Sequence, residues 1–220
     1  MATTLPQNPT AIATDQWVHL PAPWGAYRRL LRARGENGRP RYVFMDGRLT
    51  IVSPGHRHES LKTRLTALID EILVGLSIDF HASGEVTLLQ SRRPRTGAEA
   101  DATYYLTRID EIRGKADLVM GEDPPPDLAV EVVVSHPEHD AIEAYRRFGV
   151  REVWVCRRTG LEFLTLGRDG RYQASSTSAV LPFLASEELE PWVFRDDPPS
   201  ETQIRRAFRA WVQETLAPRL

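Results

Sequence analysis

Two β-rich segments about thirty residues apart each place a carboxylate in an apolar run, and this constrains the fold more than any other feature. The first, GAEADATYYL, ends at Leu106 and contains Asp101; the second, PPPDLAVEVVVS, ends at Ser135 and contains Glu131. A strand with apolar residues on both sides of its charge is buried on both faces. A charge held there costs several kcal/mol unless it is paired or bound to a metal. Alternate residues of a strand share a face, so Asp101 groups with Thr103 and Tyr105, and Glu131 with Ala129 and Val133. If the two strands are neighbours, both carboxylates meet at one place on the sheet. There they either pair with arginines or share a cation.

The rest of the chain supplies one α/β fold. At 220 residues it can bury one substantial core. Residues 1–22 have no periodicity and read as a loose arm, 23–195 as the folded domain, and 196–220 as a tail bearing an amphipathic helix. Helices are expected over 26–34, 58–76, 107–115 (with Thr107 at its cap), 140–148 and 201–216. The second is the strongest, because Leu61, Leu65, Leu68, Ile72 and Leu76 recur at three- and four-residue steps. Gly149 is placed to end the fourth. Strands are expected over 41–45 and 48–52, joined by Asp46-Gly47, and over 85–90, 101–106, 128–134, 152–157, 161–166 and 171–175. The order predicts a mixed sheet between helices.

Composition excludes several classes. No apolar run is long enough to span a bilayer and no leader pattern opens the chain, so a cytoplasmic protein is the default expectation. A single cysteine, Cys156, rules out disulfides within the chain and multi-cysteine zinc sites. The net charge of −2 argues against a coat of nucleic acid but leaves a local basic groove open. Of 28 basic side chains only Lys62 and Lys115 are lysines, so candidates for a catalytic lysine are few. His56 and His58, and His136 and His139, form two short clusters that could bind zinc with Glu59 or Asp140, although loop histidines usually serve solvent or backbone. The run Arg92-Arg93-Pro94-Arg95 could touch a DNA backbone, and Arg205, Arg206 and Arg209 read as a solvated helix face. There is no nucleophile elbow and no phosphate-binding glycine loop.

Five segments in series carry a resemblance: DGRL at 46–49, SPGHRHE at 53–59, EAD at 99–101, PDLAVEVVVS at 126–135 and AYRRFGVREVW at 144–154. Together they resemble the bacterial Uma-type restriction-endonuclease family of the PD-(D/E)XK nuclease superfamily, over residues 24–193. The resemblance implies a restriction-endonuclease-like core, a mixed sheet flanked by helices, and Mg²⁺-dependent hydrolysis of DNA phosphodiesters, with Mn²⁺ as a substitute ion. Asp101 and Glu131 match the family's metal-binding carboxylates, and the carbonyl of Val132 a further ligand. Glu59 matches an acidic residue often added to such centres. A homodimer is compatible with it.

Two positions depart from the pattern. The superfamily's simple lysine position is Val133, and the family's own lysine, four residues before Tyr145, is Ala141. A lysine there would orient the attacking water and stabilise charge on the phosphorane; alanine can do neither. Lys62, one helical turn from Glu59, is the first candidate to replace it, with Arg146 or Arg147 after it. Two functions stay open: a metal-dependent DNA endonuclease using such a substitute, and a nuclease-fold protein that binds nucleic acid or protein without cleaving.

Overall fold

A computed structural model describes residues 15–35, 38–115, 118–135, 138–195 and 200–220. Eleven strands fall into two sheets, where the sequence suggests one. The first sheet holds β1 (Gln16–Pro21), β3 (Arg48–Ser53), β2 (Arg41–Met45), β6 (Thr96–Glu99) and β5 (Thr87–Gln90), in that spatial order and antiparallel throughout. The second runs β11 (Tyr172–Ser175), β10 (Gly160–Leu166), β9 (Glu152–Arg157), β8 (Leu128–Val133), β7 (Ala102–Tyr105), β4 (His81–Ala82). It is mixed, because β8 and β9 are parallel and joined through a helical crossover.

The helices are α1 (Trp24–Arg34), α2 (His56–Gly75), α3 (Ile109–Ile112), α4 (His139–Phe148), α5 (Ser186–Val193) and α6 (Glu201–Trp211). A π-helical turn, Val212–Leu216, and a 3₁₀ turn, Ala217–Arg219, continue α6. No helix among the described residues is long and apolar enough to cross a membrane.

Local chemistry accounts for most of these elements. Asp46 and Gly47 both take positive φ (51° and 79°), the left-handed pair that a two-residue hairpin between β2 and β3 requires. Gly149, at φ 79°, closes α4 by donating to the Arg146 carbonyl. Helix α2 buries Leu61, Leu65, Leu68 and Ile72 against Tyr104, Val130, Val132 and Trp154 of the second sheet. Ile204, Phe208, Val212 and Leu216 of the C-terminal helix join the same core, so the tail is integral to it. Its basic face is not merely solvated: Arg205 and Arg209 pair with the buried Glu71 of α2.

Several elements differ from expectation: β4 and α5 fall where no element is expected, and three others depart in kind or extent. Gln16–Pro21, inside the segment read as an arm, is a strand on β3; its side chains are largely exposed, so backbone pairing holds it and no apolar periodicity betrays it. β6 is too short and too small-sided to show in the sequence, yet it lies between β2 and β5 with the Tyr27 ring packed over Gly97. The helix expected over 107–115 shrinks to α3, because Thr107 is held instead by Asp127, which accepts from its hydroxyl and its N–H.

The chain passes from the first sheet to the second at Ala100-Asp101, between β6 and β7. Helix α4 fills the wedge between the sheets, packing Ala141, Ala144, Tyr145 and Phe148 against Val43 and Ala98 of one and Ala129, Val133 and Val153 of the other. The candidate site lies in this wedge.

Candidate functional site

Strand phase brings the acidic pair together. β7 and β8 pair with Ala102 opposite Val130, so Asp101 stands just before β7 and Glu131 one residue beyond Val130 on β8. The Asp101 N–H donates to the Val130 carbonyl at 3.0 Å, anchoring it there. On β8, Ala129 and Val133 face α4, and Glu131 faces it with them. Tyr145 of α4 donates its hydroxyl to Glu131 Oε2 at 2.7 Å. Burial and the Glu131 charge raise the Tyr145 phenol well above its usual pKa, so it remains a donor.

A third side chain enters from the first sheet. Arg41 opens β2, and with Val43 it faces the wedge. Its Nη1 donates to Asp101 Oδ1 at 2.7 Å, and Glu131 is the second carboxylate whose charge acts on it. Asp101 is therefore paired with a guanidinium, and the Glu131 charge acts on the same guanidinium. Arg41, Asp101 and Glu131 are each 3% exposed or less.

His58 of α2 completes the cluster. Its Nε2 lies 2.8 Å from Asp101 Oδ1, and its Nδ1 lies 3.4 Å from Asp15 Oδ1. Arg41 Nη2 is 3.1 Å from the same Nε2, but a ring nitrogen that donates to a carboxylate cannot also accept. We assign the proton on Nε2 to the Asp101 bond, the shorter and charge-assisted one. Asp101 Oδ2 accepts from the Val132 N–H at 2.7 Å. Both oxygens of Asp101 are therefore engaged.

The electrostatics give a pH dependence. Burial raises the Asp101 pKa, but Arg41, the His58 bond and the Val132 N–H outweigh it and hold the carboxyl well below the ordinary range. A depressed folded value means stability that is complete above the unfolded pKa of about 4 and is lost as pH falls through the folded value. For His58, burial lowers the pKa while bonds to Asp101 and Asp15 raise it, with a net rise. Its contribution is complete below about pH 6.5 and fades as pH rises through the folded value. Thermal melts from pH 3 to 9 should show a fall on both sides; His58→Gln should flatten the alkaline limb and, by removing one of the groups that depress Asp101, make the acid limb shallower as well.

The remaining sequence candidates lie outside this cluster. Glu59 pairs with Arg39 at 2.7 Å and with Lys62 at 2.9 Å, and Lys62 also binds Glu85, a chain of half-exposed ion pairs on the outer side of α2. Arg146 pairs with Glu143, and Arg147 with Asp46 and Glu143. Ala141 is 4% exposed, one helical turn before Tyr145 on the wedge face of α4, with its neighbour Asp140 bound by Arg48. Val132 is placed by its N–H, not by its carbonyl. Arg92 pairs with Glu122, and Arg95 lies over the Trp24 ring. His136 lies outside the described residues.

The resemblance overlooks Arg41, His58 and Asp15. For His58 a signal exists: it shares the stripe of Leu61 and Leu65, whereas Glu59 falls on the polar side. Asp15 accepts from the N–H groups of Gly55, Val134 and Ser135 and carries no pattern of its own.

As arranged, these donors do not fit a hard divalent cation. Mg²⁺ takes six oxygen ligands at about 2.1 Å. Asp101 has both oxygens committed, and a fixed guanidinium sits against the pair. Among the described residues no group of three or more His, Cys, Asp or Glu side chains is set to hold a metal, zinc included.

Comparison with known proteins agrees with this fold. A solved structure, a putative nuclease belonging to DUF820 from Anabaena variabilis, matches with a TM-score of 0.52 at 11% identity, covering 70% of this chain and 92% of that one. At that identity the likeness shows the fold alone. No curated protein matches the chain. The Uma2 family model, described as a putative restriction endonuclease, matches residues 24–196. That span exceeds half of the chain, which therefore belongs to the Uma2 family of putative restriction endonucleases.

Proposed function

We propose that this chain is a DNA-binding member of its nuclease family in which metal-dependent cleavage is weak or lost. The observation that carries the reading is the state of Asp101, the residue matching the family's metal aspartate, whose oxygens are filled by Arg41, His58 and the Val132 N–H. Ala141 removes the second requirement, an ammonium to stabilise charge on the phosphorane, a contribution commonly about 3–4 kcal/mol for one well-placed donor. In this reading the DNA backbone runs along a basic groove that opens at the N-terminus of α2. His56 and Arg57 at the N-terminus of α2 share a groove with Arg64, Arg158 and Arg195. Such a groove binds phosphates without reading sequence.

A second reading, a Mg²⁺- or Mn²⁺-dependent DNA endonuclease, is favoured by two buried carboxylates, Asp101 and Glu131, whose charges both act on Arg41. In it Asp101, Glu131 and the Val132 carbonyl would hold the ion, with Glu59 and Lys62 assisting. One assay pair separates the two. On a panel of duplex and single-stranded DNA with Mg²⁺ or Mn²⁺, wild type should cleave no faster than Asp101→Asn. It should still bind labelled DNA, with an affinity that falls steeply with salt. The double variant Arg57→Glu/Arg158→Glu should weaken binding and reduce the salt slope by about 0.9 for each phosphate contact removed. Cleavage by wild type that Asp101→Asn or Lys62→Ala abolishes would establish the second reading instead.

A further inference from the structure

Arg41 is an unusual residue to open a buried strand. Tyr42, Val43, Phe44 and Met45 follow it on β2, all buried and apolar apart from the tyrosine hydroxyl. A guanidinium at such a place requires a counter-charge, since an unpaired buried ion is strongly destabilising. Asp101 supplies one directly and Glu131 a second at longer range. Arginine stays protonated throughout the working pH range, so the charge is permanent.

The geometry points to Arg41 as the built-in cation of this centre: its guanidinium stands where a shared divalent ion would have to sit, neutralising Asp101 and Glu131 without metal. The inference rests on reading those two residues as the family's carboxylate pair, and on nothing about cleavage. Three observations support it. The guanidinium bonds Asp101 Oδ1 at 2.7 Å, and the other oxygen accepts from the Val132 N–H. Asp101 adjoins β7 and Glu131 lies on the neighbouring β8, yet among the described residues no group of three or more His, Cys, Asp or Glu is set to hold a metal. His58 turns one nitrogen to Asp101 and the other toward Asp15, locking the arrangement from the helix side. A guanidinium cannot replace a metal as a source of nucleophilic hydroxide, because it neither coordinates water nor gives up its proton. It can hold the fold together at all metal concentrations.

The test is Mn²⁺ binding followed by electron paramagnetic resonance on the full chain, with no nucleic acid present, so that a failure of the DNA-binding reading leaves it untouched. Wild type should show no bound Mn²⁺ attributable to Asp101, its signal matching that of Asp101→Asn. Arg41→Gln should bind one Mn²⁺ per chain, and Arg41→Gln/Asp101→Asn should lose it. Should Arg41→Gln fail to fold in metal-free buffer, its refolding with and without Mn²⁺ becomes the readout, and recovery only with Mn²⁺ is the expected result. Mn²⁺ binding by wild type that needs Asp101 overturns the inference. So does an Arg41→Gln protein that folds without acquiring Mn²⁺, or one that Mn²⁺ does not rescue.

Discussion

Asp101→Asn should destabilise the metal-free protein by about 3–5 kcal/mol, read as a lower midpoint in urea at unchanged slope. The substitution removes the charge that faces Arg41 at 2.7 Å in a site almost wholly closed to water, and a broken buried pair leaves its partner uncompensated. It also turns an amide N–H₂ toward either the Val132 N–H or the Arg41 guanidinium, both of them donors. A carboxylate pair built to hold metal behaves in the opposite way. Without the ion its charges repel, and neutralising one of them stabilises the apo protein. The sign of the change therefore distinguishes a resident guanidinium from a vacant metal centre. Replacing both partners, Arg41→Met with Asp101→Leu, should recover part of the loss, because apolar groups in place of a buried ion pair are often tolerated. Recovery should be incomplete until Glu131→Gln is added, since the Glu131 charge also acts on Arg41 and would lose that counter-charge.

What the sequence reveals here follows the range of the forces involved. Elements fixed by neighbours in the chain are legible: the Asp46-Gly47 hairpin by its two positive φ angles, α2 by its leucine stripe, α4 by its amphipathic face and the glycine that ends it. The pairing of the strands that carry or adjoin Asp101 and Glu131 is legible too, because two apolar runs close in sequence tend to be neighbours. Elements fixed by distant partners are not. β6 is buried only because β2 and β5 flank it, and β1 shows no alternation because backbone pairing alone holds it. The division into two sheets depends on where the chain crosses at Ala100-Asp101, a choice made by tertiary packing.

The site divides along the same line. A family pattern names carboxylates and the missing lysine, since those are the positions at which it is defined. It is silent on Arg41, sixty residues before its partner, and on Asp15, 119 residues before Val134. On α2 the pattern favours Glu59, but adjacent helical residues point about 100° apart, and the one in the apolar stripe is His58. Glu59 and Lys62 satisfy each other and Arg39 and Glu85 on the outer side.

Restoring the family's lysine should not by itself restore cleavage. Ala141→Lys places an ammonium on a buried helix face against Val43, Val133 and Tyr145, where alanine is 4% exposed. The added volume alone costs about 1–3 kcal/mol, and a second cation near Arg41 adds repulsion, on a helix that packs directly against β2. The new charge also lies in the first turn of α4, where the helix dipole disfavours it. Ala141→Lys should therefore melt at a lower temperature and remain without Mg²⁺-dependent activity. Combining it with Arg41→Gln changes the balance, since the ammonium then meets Asp101 and Glu131 with no competing guanidinium. The two substitutions should couple favourably by roughly 1 kcal/mol or more in a double-mutant cycle. If the pair of carboxylates then accepts metal, the double variant alone should cleave DNA. Activity in Ala141→Lys with Arg41 intact would show that the guanidinium yields its place, and that the lysine was the only part missing.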